Sequence, residues 1–538
     1  MSKNKVLIAG GGPVGMTVAL ELARYGVSSI LLERNPTTTR HPKMDLTNGR
    51  SMELFHRLGI VEDLRDVGVH RDNPFDIAWV THMNGHELYR FEYPSANQVT
   101  ERIRRNNDGS EASQAPLRVS QVDIEPVLKR LIDANPLVDV RFGTAFERIV
   151  EERDDSLVVE ISCSETGAKS TLECAYLAGC DGGGSRVRRR LGIELEGESN
   201  VASAFMVHFH STDTELLQRW GATWHYQNGA GTLIAQNDID TWTLQAWLPP
   251  GDDGSSWDAD QTLQSWIGCD FDYQILQANP WSAHFVVAER YHQGRVILAG
   301  DAAHQYIPTG GYGMNSGVAD AIGAAWVLAA RVQGWGGAEL FAAYDAERRH
   351  TAWWHLNASK RHMGVRIQMS ELYAAAGDLD SDTEEAAANR ARLGAQIKAL
   401  GNAENESWGV ELGYRYDQSP IICREADAPD IDPITYRPST WPGSRLPHVF
   451  LADGISIHDK LGMYFTLIVF GGAGQAAEAE RLLAGSKIPV EVLAIDDSHA
   501  AGIYHYPYLL VRPDQHIAWR GQALPADIGN ILNRAAGW

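Results

Sequence analysis

Apolar residues in this chain fall into short unbroken runs, alternating runs and longer helical patterns, and their order is informative. Residues 5–9 (Lys-Val-Leu-Ile-Ala) form a run of buried-strand length, too short for a helix. Beyond a glycine turn, Val14, Val18 and Leu22 recur on one helical face, and Gly26 marks a stop. A second apolar run, 29–32, ends in Glu33. The same texture returns later. Residues 295–299 read as a buried strand, followed by Gly300-Asp301-Ala302-Ala303-His304 and a glycine-rich loop that enters a small-residue helix ending near Ala330.

Between these units, residues 138–141, 147–153, 157–162 and 172–178 read as strands. Residues 204–210, 223–226, 231–236 and 241–248 alternate between turn signals, predicting an antiparallel sheet. Residues 75–91 also suggest strands, and the polar stretch 95–115 reads as a loop and a candidate lid. Ser51 is placed as the cap of a helix to Leu58. Asp123 is placed as the cap of another, with Pro126 in its first turn. Residues 344–366 and 378–403 read as helical. Four prolines between 426 and 446 suggest a linker, and strands at 466–470, 490–495 and 508–512 predict a small α/β module.

The first turn contains Gly-x-Gly-x-x-Gly as Gly10, Gly12 and Gly15. Gly10 permits the tight turn, Gly12 lets backbone approach a pyrophosphate, and Gly15 allows close helix–strand packing. The helix start offers free N–H groups to phosphate, and Glu33 stands where an acid accepts ribose hydroxyls. The motif predicts a dinucleotide without choosing between FAD and NAD. Arg34, Lys43 and Arg50 are nearby cations that could neutralise a pyrophosphate, and Arg118 and Gln121 stand at a helix entrance suited to holding a cofactor or to capping.

Composition narrows the partners. A net charge of -22 argues against nucleic acid or an anionic membrane. The weakly polar stretch 313–330 contains Asp320 and glycines, so it reads as a buried helix rather than a span. Five scattered cysteines without C-x-x-C point to reduced thiols, a cytoplasmic location and no metal site. The first residues run straight into a strand, predicting no signal peptide.

Three glycine turns in this order resemble the class A flavoprotein monooxygenases that hydroxylate phenols. The carriers are the first turn with Glu33-Arg34, then Cys180-Asp181-Gly182 with Ser185-Arg186-Val187-Arg188, then Gly300-Asp301-Ala302-Ala303-His304 through Pro308 to Gly313-Met314-Asn315. The resemblance spans residues 1 to about 360, and residues 445–538 resemble the thioredoxin-like tail of longer members, without C-x-x-C. Lys43 stands where the family commonly has Arg, which leaves a bidentate phosphate contact in doubt there.

The resemblance implies an α/β fold with a Rossmann-like FAD-binding domain of the GR2 type at 1–75, 110–200 and 285–370. A mixed or antiparallel substrate sheet would be inserted at 76–109 and 201–284, with helices and linker at 371–444 and a thioredoxin-like domain at 445–538. It also implies roles. Gly10, Gly12, Gly15, Glu33 and Arg34 would hold the ADP half of FAD, Arg118 and Gln121 would contact FAD, and Asp301 would bond its ribityl chain. Gly311, Gly313, Met314 and Asn315 would face the flavin ring, with Pro308 lining the oxygen site. Asp181 would serve both FAD and a transient NAD(P)H.

The implied reaction is reduction of FAD by NAD(P)H, oxygen addition to give a flavin hydroperoxide, and attack on a phenol ortho or para to its hydroxyl. A phenol of pKa about 10 needs a base at neutral pH. His225 and Tyr226 are the candidates, and strand alternation lets only one face the ring. The implied partners are a small phenolic substrate and O2, and a homodimer is compatible with the family. The alternative is an FAD-dependent oxidoreductase that inserts no oxygen.

Overall fold

A computed structural model describes residues 5–538; residues 1–4, on which the expectation of no leader rested, lie outside it. Val6–Ala9 is buried at every position and pairs in parallel with Ser29–Glu33 on one side and Tyr176–Gly179 on the other. Val296–Leu298 and Val138–Phe142 extend this sheet in parallel, and His292–Gln293 adds an antiparallel edge. A parallel sheet covered on both faces reads as unbroken apolar runs, which is why these strands show no alternation.

The helices Pro13–Arg24 and Tyr312–Gln333 lie against each other because glycine permits it. A Cβ on Gly317 would come 2.6 Å from the Val14 side chain, and one on Gly300 would come 2.9 Å from it. Two loop-helix units are thereby held over the same sheet.

Three antiparallel strands between Thr144 and Cys174 form a side sheet. A mixed eight-stranded sheet carries His304–Gln305, Gln274–Ala288, Leu195–His210, Thr241–Trp247, Gly231–Ala235, His225–Asn228, Ile77–Val80 and Glu87–Phe91 in that order. One face closes its own core around Tyr226, Leu233, Leu244 and Trp242. The other face looks toward the glycine loop and the 37-residue helix Glu339–Ala375. The final module runs strand, helix, strand, helix, two strands, helix from Phe465 to Ala535, a thioredoxin-like order, and the five cysteines of the chain are all free and lie outside it.

Buried ion pairs fasten the C-terminal region to the rest of the chain. Glu53 accepts from Arg50 at 2.5 Å, from Arg445 and from the Ser113 N–H. Arg512 bridges Glu347, at 2.5 and 2.7 Å, to Asp514.

Several boundaries differ from the pattern. Residues 95–115, expected as a loop, contain the helix Ala96–Asn106. Ser95 and Gln98 form a reciprocal capping box, and Ala96, Val99 and Ile103 make a narrow buried stripe that the surrounding charges masked. The helix given to Ser51 begins at Gly49 under an Asn48 cap, and the one given to Asp123 begins at Gln121 under Ser120, leaving Pro126 inside the helix. Residues 172–178 divide at Ala175 between two sheets.

Replacing Glu53 by Gln should cost about 3–5 kcal/mol in denaturant unfolding, because Arg445 stays buried without its partner. Burial pushes the Glu53 carboxyl up, but Arg445 and His458 hold it well below its ordinary 4.5. The wild-type contribution should therefore be complete above pH 4.5 and be lost as pH falls below it, and the variant should lack that dependence.

Candidate active site

The first glycine turn borders a cavity of about 350 Å³, which Glu33, Arg34, Lys43, Gln121 and the 181–184 turn also line. Gly10 has φ +113, and a Cβ there would strike the Cys180 carbonyl at 2.1 Å; a Cβ on Gly15 would strike the Gly10 carbonyl at 2.0 Å. Gly12 differs: its Cβ would meet only Glu125 Oε1, at 4.0 Å, so this position faces open space. No side chain caps the helix that starts at Pro13, which leaves its N-terminal amides for a phosphate. Glu33 accepts from Gly11 N at 2.8 Å and from Asn35, fixing the turn as well as bordering the cavity.

Other expected contacts fall differently. Gln121 lines the cavity while donating to Glu125 at 2.7 Å; Glu125 also accepts from Thr39 N and was not foreseen. Arg118 does not line the cavity. It donates to the Pro74 carbonyl at 2.9 Å and to the Thr223 carbonyl, because the short ladder Leu46–Thr47 with Leu117–Arg118 aims it at the eight-stranded sheet. Burial pushes its pKa down to about 10, against the pull of Asp45. The Asp181 turn borders the cavity, but its carboxylate takes Ser185 Oγ and the N–H groups of Arg186 and Val187, capping the following helix.

At the third turn, Asp301 and Pro308 are exposed, while Asp320 is the acid that locks the turn. Asp320 accepts from Gly300 N at 3.0 Å, His304 at 2.9 Å and Arg348 at 2.6 Å. Burial raises its pKa, but Arg348 and His304 bring it down to about 2. Gly311 takes φ +66 and starts the helix Tyr312–Gln333 without a side-chain cap. A Cβ on Gly313 would meet nothing within 4 Å.

Asn315 is a staple. Its Oδ1 accepts from Asn48 N at 3.0 Å, and its Nδ2 donates to the Leu46 and Gly311 carbonyls at 3.1 and 2.7 Å. The glycine loop is thereby tied to the segment carrying Asp45. Asp45 Oδ2 accepts from Trp224 Nε1 at 2.6 Å and lies 2.9 Å from His225 Nε2. Burial pushes Asp45 up, but the His225 and Trp224 contacts hold it below its ordinary value, so it stays ionised at neutral pH. His225 Nδ1 is buried and has no partner among the described residues.

Tyr226 faces the opposite way. Its hydroxyl donates to the Gly221 carbonyl at 2.8 Å and its ring belongs to the closed core of the sheet. This removes it as a candidate base, since successive strand residues take opposite faces.

Open glycines and uncapped helix starts at two turns over one parallel sheet define a dinucleotide-binding protein, and these residues fit FAD. Residues 3–359 match the FAD binding domain family and residues 439–537 match the aromatic-ring hydroxylase C-terminal family. The chain is 36% identical to the FAD-dependent monooxygenase apdD of Emericella nidulans, covering 100% of this chain and 91% of that relative. It is 29% identical to phenol 2-monooxygenase of a Pseudomonas strain, covering 98% of this chain and 91% of that relative. The rebeccamycin biosynthetic enzyme RebC, solved with reduced flavin, superposes with a TM-score of 0.88 at 29% identity, covering 99% and 98% of the two chains. This chain belongs to the FAD binding domain family of aromatic-ring hydroxylases and is an FAD-dependent monooxygenase. FAD is its cofactor, and NAD(P)H is the donor typical of the family. Among the described residues, no helix is long and apolar enough to cross a membrane and no side-chain cluster could hold a metal ion.

Gly12→Ala and Gly15→Ala separate the two uses of glycine. Gly15→Ala should lower the melting temperature of the protein stripped of FAD. Gly12→Ala should leave that temperature unchanged and weaken FAD binding roughly tenfold or more, an affinity loss of about 1.4 kcal/mol, read by flavin fluorescence titration.

Proposed function

We propose that this monooxygenase hydroxylates a phenolic ring ortho or para to its hydroxyl, with His225 as the base. The observation that carries the reading is the His225–Asp45 pair, which Asn315 ties to the glycine loop. Bound FAD, reduced by NAD(P)H, supplies the activation of dioxygen. Everything else falls to the chain's own groups.

An ionised Asp45 accepts the Nε2–H of His225, which leaves Nδ1 with its lone pair. A phenol O–H brought to Nδ1 gives up its proton there, and Asp45 stabilises the imidazolium that results. The phenolate so formed is the electron-rich ring that accepts oxygen. Trp224 holds Asp45 from the other side, and its ring lies 4.1 Å from the imidazole, so neither group swings freely. In this reading Gly12, Gly15, Glu33, Arg34, Lys43 and Gln121 surround the ADP half of FAD. Asp301 meets its ribityl chain, and Gly311, Gly313 and Met314 meet its ring, with Pro308 at the oxygen side. His225 is buried, which limits the water that could compete for the proton.

The test is NAD(P)H oxidation across a panel of phenols with product mass recorded. A gain of one oxygen atom is expected. Peroxide with unaltered substrate would instead support an oxidoreductase that inserts no oxygen. His225→Phe should lower kcat by about 10²–10⁴-fold and shift its pH dependence toward unassisted phenol ionisation near pH 10. Tyr226→Phe should leave both unchanged.

A further inference from the structure

The strand His225–Asn228 carries a second polar residue on the face of His225. Gln227 stands two positions on, and strand residues two apart share a face. It is fully buried, and neither its Oε1 nor its Nε2 has a partner among the described residues. Strand register sets it directly between Trp79 and Thr232, with Gln245 next in the row. Trp79 Nε1 is likewise buried and unpartnered. Gln245 is already engaged, accepting from Trp281 Nε1 at 2.8 Å. One acceptor and two kinds of donor are thus left over at a single point of the sheet, on the face where Asp45 meets His225. Buried amides are almost always paired in native proteins, so such a set calls for a ligand.

The chemistry of that ligand follows from what surrounds it. Gln227, Trp79, Thr232 and Gln245 are all neutral. Arg366 lies 5.4 Å from the centre of the Trp79 ring and is held by both oxygens of Glu404 at 2.8 Å each. Burial pushes Glu404 up, but Arg366 holds it below its ordinary value, so it stays ionised. Arg366 is thus committed to Glu404, and the Glu404 carboxylate would repel a substrate carboxylate placed beside Trp79. A carboxamide or lactam offers the matching acceptor and donor to a glutamine side chain and a second acceptor lone pair to the indole N–H.

Spacing adds a position. Two residues of strand span about 6.6 Å, close to the reach from a phenol oxygen to a carboxamide para to it across one ring. We propose that Gln227, with Trp79 beside it, recognises a neutral carboxamide or lactam para to the substrate hydroxyl, which leaves the ortho carbon for oxygen. This deepens the phenol hydroxylase reading and rests on His225 being the hydroxyl's partner.

The test titrates phenol, 4-hydroxybenzamide and 4-hydroxybenzoate into FAD-loaded protein without NAD(P)H and reads the change in flavin absorbance. 4-Hydroxybenzamide should bind about tenfold or more tightly than the other two. Gln227→Leu should reduce it to the affinity of phenol, and Trp79→Phe should weaken it by a smaller factor. Gln227→Leu should also leave the melting temperature of the free protein equal or higher, since leucine removes two unpartnered buried atoms at similar volume. Affinities for all three probes within twofold, tightest binding of 4-hydroxybenzoate, or a preference that survives Gln227→Leu would overturn the proposal. So would a flavin spectrum that none of the probes moves, or a fall in melting temperature, which would mean that the amide is satisfied within the protein. Product mass is scored separately. A Gln227-dependent preference without oxygen gain sinks the hydroxylase reading alone, and oxygen gain without that preference sinks this one alone.

Discussion

One side-chain amide holds the two halves of this site in register. Asn315 spends its oxygen on Asn48 and its nitrogen on Leu46 and Gly311. The loop that starts the helix Tyr312–Gln333 and the segment that carries Asp45 belong to chain regions about 270 residues apart. Asp45 in turn contacts His225 on the eight-stranded sheet, so the position of His225 relative to the loop depends on this link. Proton removal and oxygen delivery depend on distances that must hold to within fractions of an ångström. A buried amide with three backbone partners provides such a constraint, because breaking any one contact strands a polar group.

The same logic extends outward. Asn48 caps the helix Gly49–Arg57, whose Arg50 and Glu53 reach the C-terminal module. Arg512 and Glu347 make a second buried contact, from that module to the long helix over the substrate sheet. The thioredoxin-like tail has no cysteine, and these contacts join it to the rest of the chain. They join it both to the helix under Asn48 and to the helix that carries Arg366.

Much of the fold was legible because backbone constraints leave residue-level marks. The glycines of the first turn stand where a Cβ would collide with carbonyls, and only spacing was needed to see them. The parallel strands announced themselves as unbroken apolar runs. The helix Ala96–Asn106 escaped because its apolar stripe is three residues wide among charges. Within the site, His225 and Tyr226 were visible as candidates, and alternation predicted that one would face away, but their sense needed the register of the whole sheet. Asp45 stood in plain sight at 180 residues from its histidine, with no local pattern to pair them. Asp320 was hidden in a small-residue helix, and the two-residue ladder that turns Arg118 toward the Pro74 and Thr223 carbonyls has no local signature. Gln227 could not be seen at all, since being unpartnered is a property of the folded state.

The most direct measurement is the ratio of hydroxylated product to NAD(P)H consumed in Asn315→Ala, using the phenol that the wild type turns over best. The account predicts that the variant keeps FAD bound and still oxidises NAD(P)H, while product per NAD(P)H falls several-fold and hydrogen peroxide takes its place. A variant that retains FAD and couples as tightly as wild type would contradict it.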